Sequence, residues 1–385
     1  MFNSIYPSLA IDIVNKTPSL PNVIHFMADV SGCSLYRMKM AEHLLLYNNK
    51  ANVISLNKMI ADKNFFYGID VIRMQRQVTP LQLKYLYFLK EMQKIHKFRI
   101  IYEIDDIPII EDIPEYNIAR KEYVSKEIQD SIKQILGLVD EMTVTCDFMK
   151  QYFINKGIKN VTVLPNFPAK FWMGNLYNQS KINKNFDDNK KKPRILYCGS
   201  NAHYDLTGRN LKDDTYHVVD SIINTINEYQ WIFLGGYPKK LKPYVESGKI
   251  EFHPWVSLTN YPYKLYDLNI QAAIAPLADN TFNKAKSDIK WTEMCAMGIP
   301  CVCQDLCTYD KAWWKFNTGD EMLTQLDKLV HHPGTYKNLG IKLFNEAEKW
   351  WLDNQENIGC YEELYKYPYG SPMRKLLKRF NNENK

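Results

Sequence analysis

The sequence predicts an α/β protein built from two doubly wound, Rossmann-like domains. The chain has 385 residues, too many for one ordinary hydrophobic core. A pattern of strand, glycine-bearing turn and helix opens at 23–34, and its strand and turn recur at 194–200. The stretch 270–304 has the pattern strand, loop, helix, strand, which is the unit of a parallel sheet.

Composition and charge are those of an ordinary globular protein. Hydrophobic residues make up 45% of the chain and charged residues 24%. The formal charge of +6 permits a polyanionic partner without demanding one. The eight cysteines have no zinc-like spacing, and we expect reduced thiols. The N-terminus lacks the features of a signal peptide and no run approaches transmembrane length, so we expect a cytoplasmic protein.

In the first half, apolar runs predict strands at 23–28, 52–56, 69–74, 98–104, 140–145 and 160–164. Helical spacing predicts helices from 35 onward and at 80–96, 118–136 and 148–155. Gly32 lies in the first turn, either as a tight turn only or in a loop close to donor phosphates or acceptor. Arg37, one turn into the following helix, could reach the same site.

Three carboxylates crowd the carboxyl end of the strand at 98–104: Glu103, Asp105 and Asp106. Ligands of open α/β sheets bind at this end of the strands. Neighbouring acids that lose water raise one another's pKa, which suits a general base for an acceptor hydroxyl. Asp105 or Asp106 is therefore the predicted catalytic base, and the sequence does not choose between them. The alternative is a solvated acidic turn that caps the next element.

The second half begins after a polar, lysine-rich stretch at 175–193 that we interpret as a linker or surface loop. Strands are predicted at 194–198 and 231–234, and helices at 215–229, 321–330, 336–351 and 360–384. The loop after the first of these strands carries polar and charged residues. Backbone N–H groups and side-chain charge there predict diphosphate contacts from Gly199, Ser200, Arg209 and Lys212. His203 in the same loop is structural, acceptor-positioning or catalytic.

The stretch 270–304 carries the clearest spacing. Ser287 is predicted as the N-cap of a helix, with Asp288 in its first turn. A helix N-terminus binds phosphate, and Lys286 adds a full positive charge beside it. Glu293 lies six residues beyond Ser287, ~9 Å along the helix. This spacing suits a diphosphate at the helix start and a ribose at the carboxylate. The alternative is a surface lysine, a capping serine and a solvated glutamate.

The run APLADNTFNKAKSDIKWTEMCAMGIPCV resembles the nucleotide-sugar site of glycosyltransferases with the GT-B fold. In that family a glutamate followed by Ala, Gly and Pro holds the nucleotide ribose, and Glu293, Gly298 and Pro300 match the pattern. Many retaining members carry a second glutamate eight residues earlier, where this chain has Ala285, so the stereochemical outcome is not indicated. The resemblance also implies that Trp255 or Val256 stacks on or hydrogen-bonds the nucleotide base; the alternative is a buried tryptophan.

The family fold implies two Rossmann-like domains that face each other across a cleft, with a C-terminal helix crossing back to the first. We therefore predict an acceptor-side domain at 1–168 and a linker at 169–193. The nucleotide-sugar domain is predicted at 194–350 and the returning helix at 351–385. A basic cluster in that last segment is interpreted as a solvated helix face or a phosphate contact. Its members are Arg374, Lys375, Lys378 and Arg379.

The segments GCSLYRM and YEIDD…IPEYN, and the chain as a whole, resemble phage glycosyltransferases that modify 5-hydroxymethylcytosine in DNA, including those that add arabinose. The resemblance implies a UDP-sugar donor carrying arabinose or glucose, double-stranded modified DNA as partner and host cytosol as location. It implies no tightly bound cofactor and no essential metal.

Two other functions remain open on the sequence alone. One is a glycosyltransferase of a cell-surface polysaccharide or lipid-linked glycan. Such an enzyme would need an amphipathic basic helix to meet the membrane, and the helix at 80–96 carries only modest charge. The other is a non-catalytic nucleotide-binding or DNA-binding module, for which both Asp105 and Asp106 would be dispensable.

Overall fold

The structure is a computed structural model that describes residues 20–187, 192–331 and 333–366. It divides into two compact units. The first unit combines the described parts of Met1–Pro108, Ser125–Pro165 and Gln355–Lys385. The second combines Ile109–Val124 with the described part of Asn166–Asn354. Each unit is therefore assembled from separate stretches of the chain.

The first unit contains a six-stranded sheet in which all paired strands are parallel. Its strands are β1 Asn22–Phe26, β2 Asn52–Leu56, β3 Val71–Gln75, β4 Arg99–Glu103, β5 Glu141–Val144 and β6 Val161–Val163. Their order in the sheet is β2-β1-β3-β4-β5-β6. The central strands β1, β3 and β4 are buried on both faces, and they bury the polar side chains of His25, Arg73 and Glu103 as well as apolar ones.

Helices flank this sheet. The α-helices are Gly32–Ser34, Met40–Tyr47, Pro80–His96, Lys126–Leu138, Asp147–Asn155 and Gln355–Tyr365, with a π-helical turn at Leu35–Lys39 and a 3-10 turn at Lys63–Phe66. The helix Pro80–His96 has the predicted bounds because Thr79 and Gln82 form a capping box and Pro80 occupies the first turn.

The predicted helix at 118–136 is wrong as one element. The chain forms Arg120–Tyr123, which belongs to the second unit, and then Lys126–Leu138. Ser125 separates them because its extended backbone and its hydroxyl, which accepts from the Ile128 N–H at 3.2 Å, start a new helix.

The last described helix, Gln355–Tyr365, belongs to the first unit. Tyr365 Oη lies 2.7 Å from His25 Nε2 on β1, and the Arg73 guanidinium of β3 lies 5.5 Å from the centroid of the Tyr361 ring. The helix begins five residues earlier than predicted. The basic cluster at 374–379 lies outside the described residues.

The second unit contains a second six-stranded sheet, again with parallel pairing throughout. Its strands are β7 Arg194–Gly199, β8 Gln230–Gly235, β9 Glu251–Pro254, β10 Ala272–Ala275, β11 Cys301–Gln304 and β12 Trp314–Phe316, in the order β12-β11-β10-β7-β8-β9. Two parallel sheets with flanking helices confirm the predicted α/β class and its two Rossmann-like halves.

The α-helices of this unit are Arg120–Tyr123, Gln179–Asp187, Val219–Asn224, Lys242–Glu246, Tyr261–Asp267, Thr281–Lys284, Ile289–Ala296, Gly319–Val330 and Pro333–Glu346. Short 3-10 turns lie at Gly174–Leu176, Asn201–His203, Lys239–Leu241, Cys307–Tyr309 and Ala347–Lys349. The stretch at 175–193, interpreted as a linker or loop, contains the helix Gln179–Asp187, and Ile182 of that helix is buried in the core. Within the described residues, no helix has the length and apolar character needed to cross a membrane.

Candidate functional site

The acids predicted at the carboxyl end of β4, in the first unit, lie in different environments. Glu103 is fully buried and binds the guanidinium groups of Arg37 and Arg73 and the hydroxyl of Thr143. Burial alone would raise the pKa of Glu103, but the two arginines hold that pKa below its usual value. Arg37, which the sequence placed beside a ligand, instead has no exposed surface, and its guanidinium also donates to the Leu164 carbonyl.

Asp105 lies just beyond the strand in a buried, polar environment. It is 9% exposed, and its Oδ1 atom accepts no hydrogen bond. The Arg76 guanidinium is 3.9 Å away, and the Cys33 thiol is a hydrogen-bonding neighbour. Burial raises the pKa of Asp105; Arg76 opposes that rise, and the nearby Asp106 adds to it. A buried carboxylate with a raised pKa and a spare oxygen has the properties of a proton acceptor.

Arg76 is held in a strained backbone conformation. Its φ of 42° is in the left-handed region, which side-chain-bearing residues seldom adopt. Its guanidinium donates to Asp29 Oδ2 at 2.6 Å. Gly32, predicted in the same region, begins the short helix after Ser31, whose hydroxyl donates to Asp29 Oδ1 at 2.7 Å. These contacts order the loop between β1 and its helix beside Asp105.

In the second unit, Glu293 is buried in the helix Ile289–Ala296. The Tyr261 hydroxyl donates to Glu293 Oε2 at 2.9 Å. The Tyr261 ring stacks on Trp172 with ring centroids 5.8 Å apart. The centroid of the Trp255 ring lies 5.9 Å from that of Tyr261. Trp255 remains 48% exposed, unlike most tryptophans of a core, so a flat ring is accessible next to Tyr261, the hydrogen-bond partner of Glu293.

The amino end of this helix differs slightly from the prediction. Its N-cap is Asp288, one residue later than predicted, and that side chain makes no capping bond. Ser287 instead accepts a hydrogen bond from the Asn166 amide at 2.9 Å. The Lys286 ammonium lies 4.5 Å from the Phe282 ring centroid.

Lys290 is a charged residue that the sequence interpretation missed. Its ammonium lies 3.2 Å from the Tyr197 hydroxyl, and it lines the same small cavity as Glu293 and Cys198. Burial lowers the pKa of Lys290 to about 8, although Asp214 opposes the shift. The signal was present for one pair, since Lys290 is three residues before Glu293 in the same helix, a spacing that puts both on one helical face.

His203 forms a pair with Asp214, another residue that the sequence did not single out. His203 Nδ1 is 2.6 Å from Asp214 Oδ2. Burial, together with the Lys290 ammonium, lowers the pKa of His203 to about 4 against the opposing effect of Asp214. Burial alone would raise the pKa of Asp214, but hydrogen bonds from His203 and Tyr116 lower it to about 2. At neutral pH the pair is a neutral imidazole and a carboxylate.

The predicted loop residues at 199–212 occupy two environments. Gly199 ends β7, and Ser200 caps the turn Asn201–His203 with its hydroxyl. Arg209 and Lys212 lie on an exposed part of the loop. Arg209 forms an ion pair with Glu115 at 3.2 Å, and the Lys212 ammonium lies 5.7 Å from the Tyr216 ring centroid.

Gly235, at the end of β8, allows the close approach of two neighbouring groups. Its φ is 102°, and a Cβ there would lie 2.7 Å from both the Gly199 carbonyl oxygen and the Trp255 ring. Gly157 has a similar φ of 94°, but a Cβ there would meet nothing within 4 Å. The two glycines therefore share a backbone requirement and differ in packing.

Gly235→Ala is expected to destabilise the protein more than Gly157→Ala, by about 1–3 kcal/mol, because only the first also overpacks its surroundings. Urea unfolding of both variants measures the difference. Equal losses would show that backbone strain alone is responsible and that the Trp255 ring yields freely.

Within residues 20–187, 192–331 and 333–366, no group of three His, Cys, Asp or Glu side chains is arranged to hold a metal ion. The polar groups that could face a ligand in the second unit are instead Lys286, Lys290, Glu293 and His203. They combine cations, a hydrogen-bonding carboxylate and a neutral imidazole, a set suited to a nucleoside diphosphate with hydroxyl groups.

The two Rossmann-like units belong to the GT-B fold class, as comparison with solved structures shows. HepE from Anabaena in complex with UDP has a TM-score of 0.57 at 11% identity, over 89% of this chain and 99% of that chain. HepE with UDP-glucose gives 0.57 at 10% identity with the same coverage. HepE with UDP and glucose gives 0.52 at 11%. At such identities the likeness concerns the fold. No protein-family model matches the sequence, and no curated protein matches it either.

Proposed function

We propose that this protein is a glycosyltransferase that takes its sugar from a UDP-sugar donor bound by the second unit. The observation that carries the proposal is the helix Ile289–Ala296, which presents Lys290 and Glu293 to one cavity and has Lys286 two residues before its N-cap. A ribose hydroxyl pair would donate to the Glu293 carboxylate, and the uracil would lie against Trp255. The likeness of fold to HepE, solved with UDP and with UDP-glucose, supports uridine as the nucleoside.

The leaving UDP would be stabilised by charge. Lys290, Lys286 and the amino end of the helix Ile289–Ala296 would neutralise the diphosphate as its bond to the sugar breaks. Ser200 and the end of β7 would add N–H donors. Arg209 and Lys212 lie on the exposed part of their loop, where Arg209 is paired with Glu115.

Asp105 of the first unit would remove the proton from the acceptor hydroxyl. Its burial and free oxygen favour it over the half-buried Asp106. For the acceptor we propose the hydroxyl of 5-hydroxymethylcytosine in DNA, with glucose or arabinose as the sugar. The support for this acceptor is the resemblance of the GCSLYRM and YEIDD segments to the phage enzymes, together with the chain's formal charge of +6. The target base would be flipped out of the duplex to reach Asp105.

A transfer assay tests the proposal. The protein is incubated with labelled UDP-glucose or UDP-arabinose and a duplex containing hydroxymethylcytosine, with an unmodified duplex of the same sequence as control. We expect label only in the modified duplex. If neither duplex is labelled although calorimetry shows that UDP still binds, the DNA acceptor is rejected and a glycan acceptor is favoured. Binding of the protein to liposomes then distinguishes a lipid-linked glycan from a soluble one. Loss of UDP binding as well would reject the donor assignment.

Glu293→Gln is expected to weaken UDP binding by about ten- to a hundredfold, because an ionised acceptor of two hydroxyl groups is replaced by a neutral amide. Calorimetry with UDP and with 2′,3′-dideoxy-UDP measures the effect. The variant and the wild type should bind the dideoxy compound equally. An equal loss for both ligands would place the ribose elsewhere.

A further inference from the structure

We propose that His203 accepts, through Nε2, a hydrogen bond from a hydroxyl group of the donor's sugar, and that Asp214 positions the imidazole for this contact. The inference rests on the proposed function, since it needs a nucleotide sugar in the second unit. It adds a residue that recognises the transferred group rather than the nucleotide that carries it.

The surroundings of Asp214 fix which ring nitrogen of His203 carries the proton. Asp214 is 1% exposed, and its Oδ1 accepts from the Tyr116 hydroxyl at 2.6 Å, the Asn283 amide at 2.5 Å and the Ala278 N–H at 3.0 Å. Its Oδ2 faces His203 Nδ1. A carboxylate held by three donors is ionised and can only accept, so Nδ1 must donate. Nε2 is left with a lone pair.

That lone pair is accessible. The His203 side chain is 13% exposed. In the described part of the chain no group forms a hydrogen bond with Nε2. Nε2 is not a buried atom, so a ligand can reach it. His217, another histidine of this unit, differs on both counts. Its Nε2 is bonded to Gln304, and its Nδ1 is buried without a partner. Only His203 of this pair can meet a ligand.

The neighbours of His203 indicate the kind of ligand group. The ring lies edge-on to Tyr197 at 6.5 Å, and the Lys290 ammonium lies 4.6 Å from the centroid of the same Tyr197 ring. Lys290 and Lys286 both act electrostatically on His203. Phosphate oxygens would bind these ammonium groups, but they carry no proton at neutral pH for Nε2 to accept. A hydroxyl does. With the ribose assigned to Glu293, the hydroxyl groups next to the diphosphate are those of the sugar.

The test compares the affinity for UDP with that for UDP-glucose and UDP-arabinose, by calorimetry. His203→Ala should weaken binding of the preferred UDP-sugar by roughly three- to tenfold and leave UDP unchanged. His203→Gln, whose amide oxygen can occupy the Nε2 position, should retain most of the affinity. Asp214→Asn should move the ring proton to Nε2, because an amide N–H then faces Nδ1, and should weaken binding of the UDP-sugar less than His203→Ala, since a hydroxyl can also accept from Nε2–H. His217→Gln is the matched control and should change neither affinity.

Nitrogen-15 NMR of the histidine rings provides a readout that does not depend on the binding of a ligand. Wild-type His203 should have a protonated Nδ1 and a bare Nε2 at pH 7, reversed in Asp214→Asn. A wild-type ring protonated at Nε2 would overturn the inference. Equal losses of affinity for UDP and for the UDP-sugar in His203→Ala would indicate a phosphate contact and would also overturn the inference. An unchanged affinity for both ligands would overturn it too. If these outcomes are as expected but no sugar reaches DNA, the inference stands and the proposed acceptor fails.

Discussion

Asp105→Asn is expected to lower the rate of sugar transfer by about 10²–10⁴-fold while UDP binding stays within twofold of the wild type. The asparagine keeps the shape of the side chain but cannot take a proton from the acceptor hydroxyl. Steady-state transfer kinetics and calorimetry measure the two effects. Asp106→Asn is the matched control. It changes the adjacent, half-buried acid and should lower the rate less than tenfold.

The pH dependence offers an independent check on Asp105. A base acts only when ionised, so activity should rise with pH through the pKa of Asp105, which burial raises above the usual 3.8. Arg76→Gln removes the cation that lowers this pKa, and the acidic limb should then move to higher pH. A limb that stays in place in Arg76→Gln, or full activity in Asp105→Asn, would exclude Asp105 as the base and favour a non-catalytic or differently catalysed protein.

Glu103→Gln is expected to cost about 3–5 kcal/mol of the free energy of unfolding of the first unit. The substitution leaves Arg37 and Arg73, both fully buried, without a counter-charge. Urea unfolding followed by circular dichroism should show a lower midpoint for the transition of the first unit and an unchanged midpoint for that of the second.

The matched control is Glu141→Gln, on the neighbouring strand β5. Glu141 also pairs with an arginine, Arg99, but the two side chains are 26% and 21% exposed, so water can replace the lost partner. We expect a loss of about 1 kcal/mol or less. A Glu103→Gln variant as stable as this control would mean that water reaches the buried arginines or that one of them leaves the core.

The sequence predicted the elements whose determinants are local. The helix Pro80–His96 has its bounds because Thr79, Pro80 and Gln82 act within one turn. The helix predicted at 215–229 is only Val219–Asn224, although its apolar spacing is longer. At its start Asp213 accepts from the Thr215 N–H and hydroxyl, and at its end the Thr225 hydroxyl donates to the Ser221 carbonyl. Such side-chain bonds compete with the helix, and periodicity does not reveal them.

The candidate site followed the same rule. The sequence placed Glu293 in a helix and Lys286 close before its start, and the structure has both positions; Lys290 lies in the same helix as Glu293. Their roles in binding stay predictions. The partners of His203 were not predictable. Asp213 and Asp214 are equivalent in the sequence, and only the fold turns Asp214 to the histidine. Tyr116 comes from a segment 98 residues earlier that joins the second unit, which no local pattern indicates.

The return of the helix Gln355–Tyr365 to the first unit has a consequence for biosynthesis. His25 and its partner Tyr365 are 340 residues apart, so at typical translation speeds roughly 20–70 s separate their emergence from the ribosome. During that interval β1 and Arg73 lack the tyrosines that cover them in the finished fold. The nascent first unit therefore stays without its last helix until the end of synthesis, whereas all segments of the second unit have been made by residue 354. Chaperone dependence during synthesis should accordingly fall on the half of the molecule that is made first.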